Sequence, residues 1–85
     1  MITMHLKRNE NEIVEYDYRI WESDKPDDIG KIQYNKIKNE IVMLERAKND
    51  KGISSYSNYS WHAFSRLIIQ AETGEFPEKL ISIWQ

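Results

Sequence analysis

Two stretches near the start of the chain alternate strictly between apolar and polar residues, and that alternation limits the fold more than any other feature. In residues 2–7, Ile2, Met4 and Leu6 alternate with Thr3, His5 and Lys7; in 14–20, Val14, Tyr16, Tyr18 and Ile20 alternate with Glu15, Asp17 and Arg19. A period of two puts successive side chains on opposite faces of a strand. Each stretch therefore predicts a strand with one buried side. Between them Arg8-Asn9-Glu10-Asn11-Glu12 is a polar break, and asparagine tolerates the left-handed conformation of a turn. Two such strands joined by a short polar loop form an antiparallel hairpin. A hairpin with one apolar face needs a second layer to cover it.

Further along, Ser23-Asp24-Lys25-Pro26-Asp27-Asp28 is a loop by composition, because Pro26 lacks an amide donor and turns Lys25 away from helix. After Gly30, Ile32 and Tyr34 alternate with Lys31, Gln33 and Asn35, and Lys36–Asn39 reads as a turn before Ile41-Val42-Met43-Leu44. This is expected to be a second hairpin, its continuous apolar quartet fitting a central strand covered on both faces. A helix across 33–48 is the competing arrangement, since Ile37, Ile41, Leu44 and Lys48 have helical spacing. The hairpin is preferred because Ile and Val suit strands and Asn39 stands where the chain reverses.

The helix signal lies in 59–73. Trp61, Phe64, Leu67, Ile68 and Ala71 make one apolar stripe, with Ser57 or Asn58 placed to cap the first turn. Gly74 stands where a left-handed cap ends a helix. For the last residues, Pro77 fits the start of a helical turn, while Ile81 and Ile83 favour a closing strand; the strand is preferred. The expected fold is a single α+β domain over 1–85. It has an antiparallel sheet of four to five strands (two hairpins and a possible C-terminal strand), with one main α-helix packed on one face.

Composition narrows the setting. A chain of 85 residues buries only about 60–65% of the surface it exposes when unfolded, so its three Trp, five Tyr and two Phe must carry much of the core. Cysteine is absent, which rules out disulfides and cysteine-based zinc sites. The first residues lack the apolar stretch of a signal peptide, and no apolar run approaches the ~20 residues of a membrane span. A cytoplasmic protein without a membrane partner is expected. Net charge is −2 but unevenly spread: −4 over 1–30, +3 over 31–51 and −1 beyond.

Residues with chemical potential do not assemble into a motif. His5 belongs to the polar face of the first strand, and His62 lies one place off the helical stripe. No metal-ligating spacing joins them, so no metal or cofactor is expected. Asp24, Asp27 and Asp28 lack the order of a calcium loop. Ser54, Ser55, Ser57, Ser60 and Ser65 lie near His62 without a nucleophile elbow, and Gly30, Gly52 and Gly74 are too scattered to cradle phosphate. A catalytic role for His62 with a neighbouring serine or acid is therefore not expected.

The most unusual local composition is Ser54–His62, rich in the Tyr, Trp, Ser and Asn of recognition loops. The expected function is a small non-catalytic interaction module that binds a protein partner or forms a homo-oligomer. Its surfaces would be the open sheet face and the 54–62 segment, with Trp21, Tyr56, Tyr59 and His62 as contact residues. Trp21 falls opposite Val14, Tyr16, Tyr18 and Ile20 in the alternation, hence on the outer face. The alternative is nucleic-acid binding through the basic hairpin 31–51, by Lys31, Lys36, Lys38 and Lys48; a sequence pI near 5.6 weighs against it.

Overall fold

The computed structural model describes residues 1–52 and 58–84. Strand β1 (Ile2–Glu10) pairs antiparallel with β2 (Ile13–Ile20) through a turn at Asn11 and Glu12, and Asn11 adopts the left-handed backbone (φ 41°) that asparagine tolerates. A bulge at Lys7 carries the ladder past residue 7, so β1 runs further than its alternation. After a single turn of 3-10 helix (Pro26–Asp28), β3 (Ile29–Asn35) and β4 (Glu40–Glu45) form the second hairpin, with Asn39 left-handed at φ 53°. Helix α1 (Tyr59–Thr73) follows, and β5 (Lys79–Ser82) returns antiparallel to β1. The strand order is β4-β3-β2-β1-β5 in one open sheet with a single helix: the expected α+β fold, with its last segment a strand. No helix among the described residues is long and apolar enough to cross a membrane.

The helix caps follow local chemistry. The Asn58 side chain accepts the Trp61 amide at 3.1 Å, and Gly74 ends the helix at φ 73°. Between helix and sheet lie Ile2, Met4, Val14, Tyr16, Tyr18, Ile32, Tyr34, Ala63, Leu67 and Leu80. Gly30 faces Tyr18 across the β2–β3 ladder, and a Cβ there would overlap the tyrosine ring and stand 2.7 Å from the Glu45 carbonyl. This glycine thus serves a close approach within the sheet.

Two expectations are corrected. The apolar strand β4 is not central; it is an edge strand, with β3 its one neighbour among the described residues, because β5 joins the sheet beside β1. The helix also meets the sheet on a different arc. Its buried residues are Ala63 and Leu67, whereas Trp61 is 50% exposed and Phe64 and Ile68 are partly exposed too. At about 100° per residue, Phe64, Ile68 and Trp61 lie roughly 60°, 100° and 120° round the helix from Leu67. The cause is volume. Two fully buried tyrosines, Tyr16 and Tyr18, already fill the centre of the sheet, and only a small residue such as Ala63 lets the helix approach them.

Candidate functional site

A sheet of five strands spans roughly 19 Å across its strand axes at about 4.8 Å per step, while a helix with its side chains is about 10–12 Å wide. One helix therefore leaves uncovered margins, and the two margins differ here. Toward β5, Trp84 closes the gap. Its ring stacks on His62 at 3.6 Å with planes 8° apart and meets Tyr59 edge-on at 5.8 Å, and Arg66 Nε donates to the Ile81 carbonyl at 3.2 Å.

Toward β4 lies an open groove. One part, a cleft of about 410 Å³, is lined by Tyr34, Asn39 and Ile41 from the sheet and by Phe64, Ile68, Ala71 and Glu72 from the helix. A second part, of about 320 Å³, continues it past Phe64 to Met43, Trp61, Ser60 and Asn58. Helix and strand thus run side by side in opposite directions, with Ile41 and Met43 as the floor and Phe64, Ile68 and Trp61 as the wall. Beyond the floor, no strand of the described residues pairs with β4 on its outer side, so among them its outward amides and carbonyls have no ladder partner.

The helix that forms this wall is anchored by Asp50, which is buried within the β4–α1 connection. Its carboxylate accepts the amides of Tyr59 (3.0 Å) and Ser60 (2.7 Å), the Tyr18 hydroxyl (3.0 Å) and the Arg46 guanidinium (3.2 Å). Burial alone would raise its pKa, but the hydrogen bonds from Arg46, Ser60, Tyr18 and Tyr59 outweigh it and hold the carboxyl below its ordinary range. An anion at the first turn also complements the helix dipole. Tyr18 in turn accepts the Ala47 amide at 2.9 Å, and burial pushes its hydroxyl pKa up. Tyr16, donating to the Pro77 carbonyl at 2.6 Å, is pushed by burial to about 12.

The residues singled out from sequence do not converge. Tyr59 and His62 meet on Trp84 and serve the closed margin; the Nε2 of His62 is buried and has no hydrogen-bond partner among the described residues. Tyr56 lies outside the described residues. Trp21 stands 60% exposed at the end of β2, its amide bonded to the Met1 carbonyl and its own carbonyl accepting Thr3 Oγ1. The outer sheet face around it carries more cover than alternation implies, for Thr3 and Asp17 are both buried. Asp17 lies there between Lys7 and Arg19, each at 3.4 Å, so the middle of that face is charged.

The basic hairpin is similarly engaged. Lys31 pairs with Glu45 and Lys48 with Asp27, both at 3.9 Å, and Lys36 reaches Asn9 at 2.7 Å and lies over the Phe76 ring. Part of the charge asymmetry between 1–30 and 31–51 is thus answered within the fold. Asp28 is held below its ordinary pKa by hydrogen bonds from Ser23 and Asn49. Among the described residues no three His, Cys, Asp or Glu side chains gather as a metal site.

Sequence reasoning missed the groove. Its signal was an apolar arc wider than one contact needs: Tyr59, Trp61, Ala63, Phe64, Leu67, Ile68, Ile69 and Ala71 cover more of the helix than a single sheet can bury. Comparison with protein-family models, with curated proteins and with solved structures finds no match to this chain.

Proposed function

We propose that this domain is a non-catalytic protein-interaction module that takes an extended segment along β4. The segment adds a strand to the sheet, and its alternate side chains enter the groove beside α1. Main-chain hydrogen bonds supply affinity in this mode, and the groove supplies selectivity. The observation that supports it is the pairing of an edge strand that has one strand neighbour among the described residues with an apolar groove whose wall is Trp61, Phe64 and Ile68. Large apolar side chains left in water beside such an edge mark contact surfaces. Nothing in the geometry favours the lysine hairpin over this groove, since Tyr34, the aromatic set among those lysines, is buried.

The test is a titration of isotope-labelled protein with a panel of extended peptides of alternating apolar and polar residues, followed by amide chemical shifts. Shifts are expected in 40–45 and at Trp61, Phe64 and Ile68, and Trp61→Ala should weaken binding by about tenfold or more. Peptides that leave these amides unmoved at millimolar concentration, or that shift those around Trp21 instead, would reject the groove.

A further inference from the structure

We infer that the Glu72 end of the groove takes an alkylammonium group, the side chain of a lysine carried by the segment that the domain binds. The inference rests on the reading of the groove as an interaction surface and names the residue that its larger cleft selects. Three features of the cleft point to a cation on an aliphatic stem. First, the cleft has room and walls for the stem. Its volume of about 410 Å³ lies within the range of small-ligand clefts, roughly 300–1,000 Å³, and Ile41, Phe64 and Ile68 give it apolar walls. A lysine side chain lays its methylenes along such walls and keeps its charged head at the wet rim.

Second, the polar side chains lining the cleft are rich in acceptors. Glu72 brings a carboxylate, and the Tyr34 hydroxyl donates to Asn39 Oδ1 at 2.9 Å. That bond uses the one proton of the tyrosine and leaves a lone pair on each oxygen, so Asn39 Nδ2 is the side-chain donor that remains in the lining. A primary ammonium has three donors and no acceptor and suits this set; a carboxylate or phosphate does not. No lysine or arginine lines the cleft. Lys36, in the adjoining turn, is held by Asn9 at 2.7 Å and lies over the Phe76 ring. Among the described residues Glu72 makes no ion pair.

Third, Glu72 stands in the last turn of α1, which carries no basic side chain. The negative end of the helix dipole lies there, so backbone and carboxylate favour a cation in the same sense. The other part of the groove, toward Asn58, offers Met43, Trp61 and Phe64 and no charged side chain. The two parts therefore select differently: lysine at the Glu72 end, an apolar residue at the other.

The experiment titrates wild type and Glu72→Gln with extended peptides in which each apolar position in turn is lysine, norleucine or glutamate, and with pentylammonium alone as a probe of the cleft. The readout is the amide shifts of Ile41, Ile68, Ala71 and Glu72. At the position that meets the cleft, lysine should bind about fivefold more tightly than norleucine and about tenfold or more than glutamate. The preference should disappear in Glu72→Gln and shrink in high salt. Norleucine binding as tightly as lysine, or a lysine preference that survives Glu72→Gln, overturns the cation and leaves the groove reading standing. If no peptide moves the groove amides, the segment reading falls and pentylammonium decides the cleft. Shifts that Glu72→Gln abolishes then uphold its choice of a cation, and the absence of shifts overturns that choice as well. Groove shifts that grow with protein concentration alone would place a second copy there and overturn the lysine-bearing segment as occupant.

Discussion

The two margins of the sheet have the same problem and solve it differently. At β5 the edge strand is four residues long, begins two residues after Pro77 and carries Lys79, which pairs with Glu22 at 3.3 Å; above it Trp84 fills the space beside the helix. Short length, a nearby proline and a lysine are the devices that discourage edge-to-edge pairing. At β4 the edge strand reads Glu-Ile-Val-Met-Leu-Glu with neither proline nor lysine, and only a bulge interrupts it. No comparable aromatic plug stands over it among the described residues. The difference teaches that exposure here is selective: the domain covers one margin with its own C-terminal segment and leaves apolar surface at the other.

The strongest way to break that comparison is to detach the helix from both margins at once. Asp50→Ala removes the acceptor for two helix amides, the Tyr18 hydroxyl and Arg46. Loss of a buried, hydrogen-bonded charge that leaves its partners unpaired costs about 3–5 kcal/mol. At about 4–8 °C per kcal/mol for a domain of this size, calorimetry should find the melting temperature lowered by well over ten degrees. The same carboxylate sets an acid limb. Its folded pKa lies below the unfolded value, so its contribution is complete above about pH 4. It is lost as pH falls through the depressed folded value, and Asp50→Asn should flatten the stability profile there. Tyr16 works in the opposite sense. Raised to about 12 in the fold, it contributes fully below about pH 10 and less as pH climbs toward 12. Tyr16→Phe should remove that alkaline decline in urea-unfolding midpoints.

The next test separates the margins. Trp84→Ala strips the ring that stacks on His62 and meets Tyr59 and should cost about 2–3 kcal/mol. Trp61→Ala, on the open side, should cost under about 1 kcal/mol. Equal losses in denaturant titrations would mean that the β4 groove is as much a part of the core as the β5 margin, and the contrast would collapse.

How much of this was legible beforehand depends on how local the cause is. The hairpins, the Asn11 and Asn39 turns, the Asn58 cap and the Gly74 stop are each decided within a few residues, so periodicity and turn chemistry place them. The position of β4 is decided elsewhere. Its quartet Ile41–Leu44 looks like an interior strand, and it is an edge only because the chain after α1 returns beside β1. Periodicity within β4 carries no trace of that choice. The helix face fails for a related reason: a stripe drawn through the largest side chains assumes that the core wants volume. Tyr16 and Tyr18 had already supplied it, and Ala63 became the contact residue. His62, expected as a contact residue, instead stacks on Trp84 far along the chain, a pairing that local pattern does not carry.

The smallest expected effect concerns the two exposed tryptophans, which stand for the two rival surfaces. Trp21 lies at the end of β2 with its backbone at φ 55°, a left-handed conformation that costs a non-glycine residue about 1–2 kcal/mol. Its side chain is largely in water, so Trp21→Ala should change stability by no more than about 0.5 kcal/mol. Trp21→Gly should be stabilising by up to about 1 kcal/mol, because glycine takes that backbone without strain. Neither change should alter peptide binding, whereas Trp61→Ala should weaken it. The reverse pattern in the peptide titration, with binding lost on Trp21→Ala and kept on Trp61→Ala, would move the interface from the β4 groove to the outer face. That outcome would be hard to reconcile with the charged centre of the outer face, where Asp17 lies between Lys7 and Arg19. A partner docking there would have to take those charges out of water, at a cost that the apolar groove does not impose.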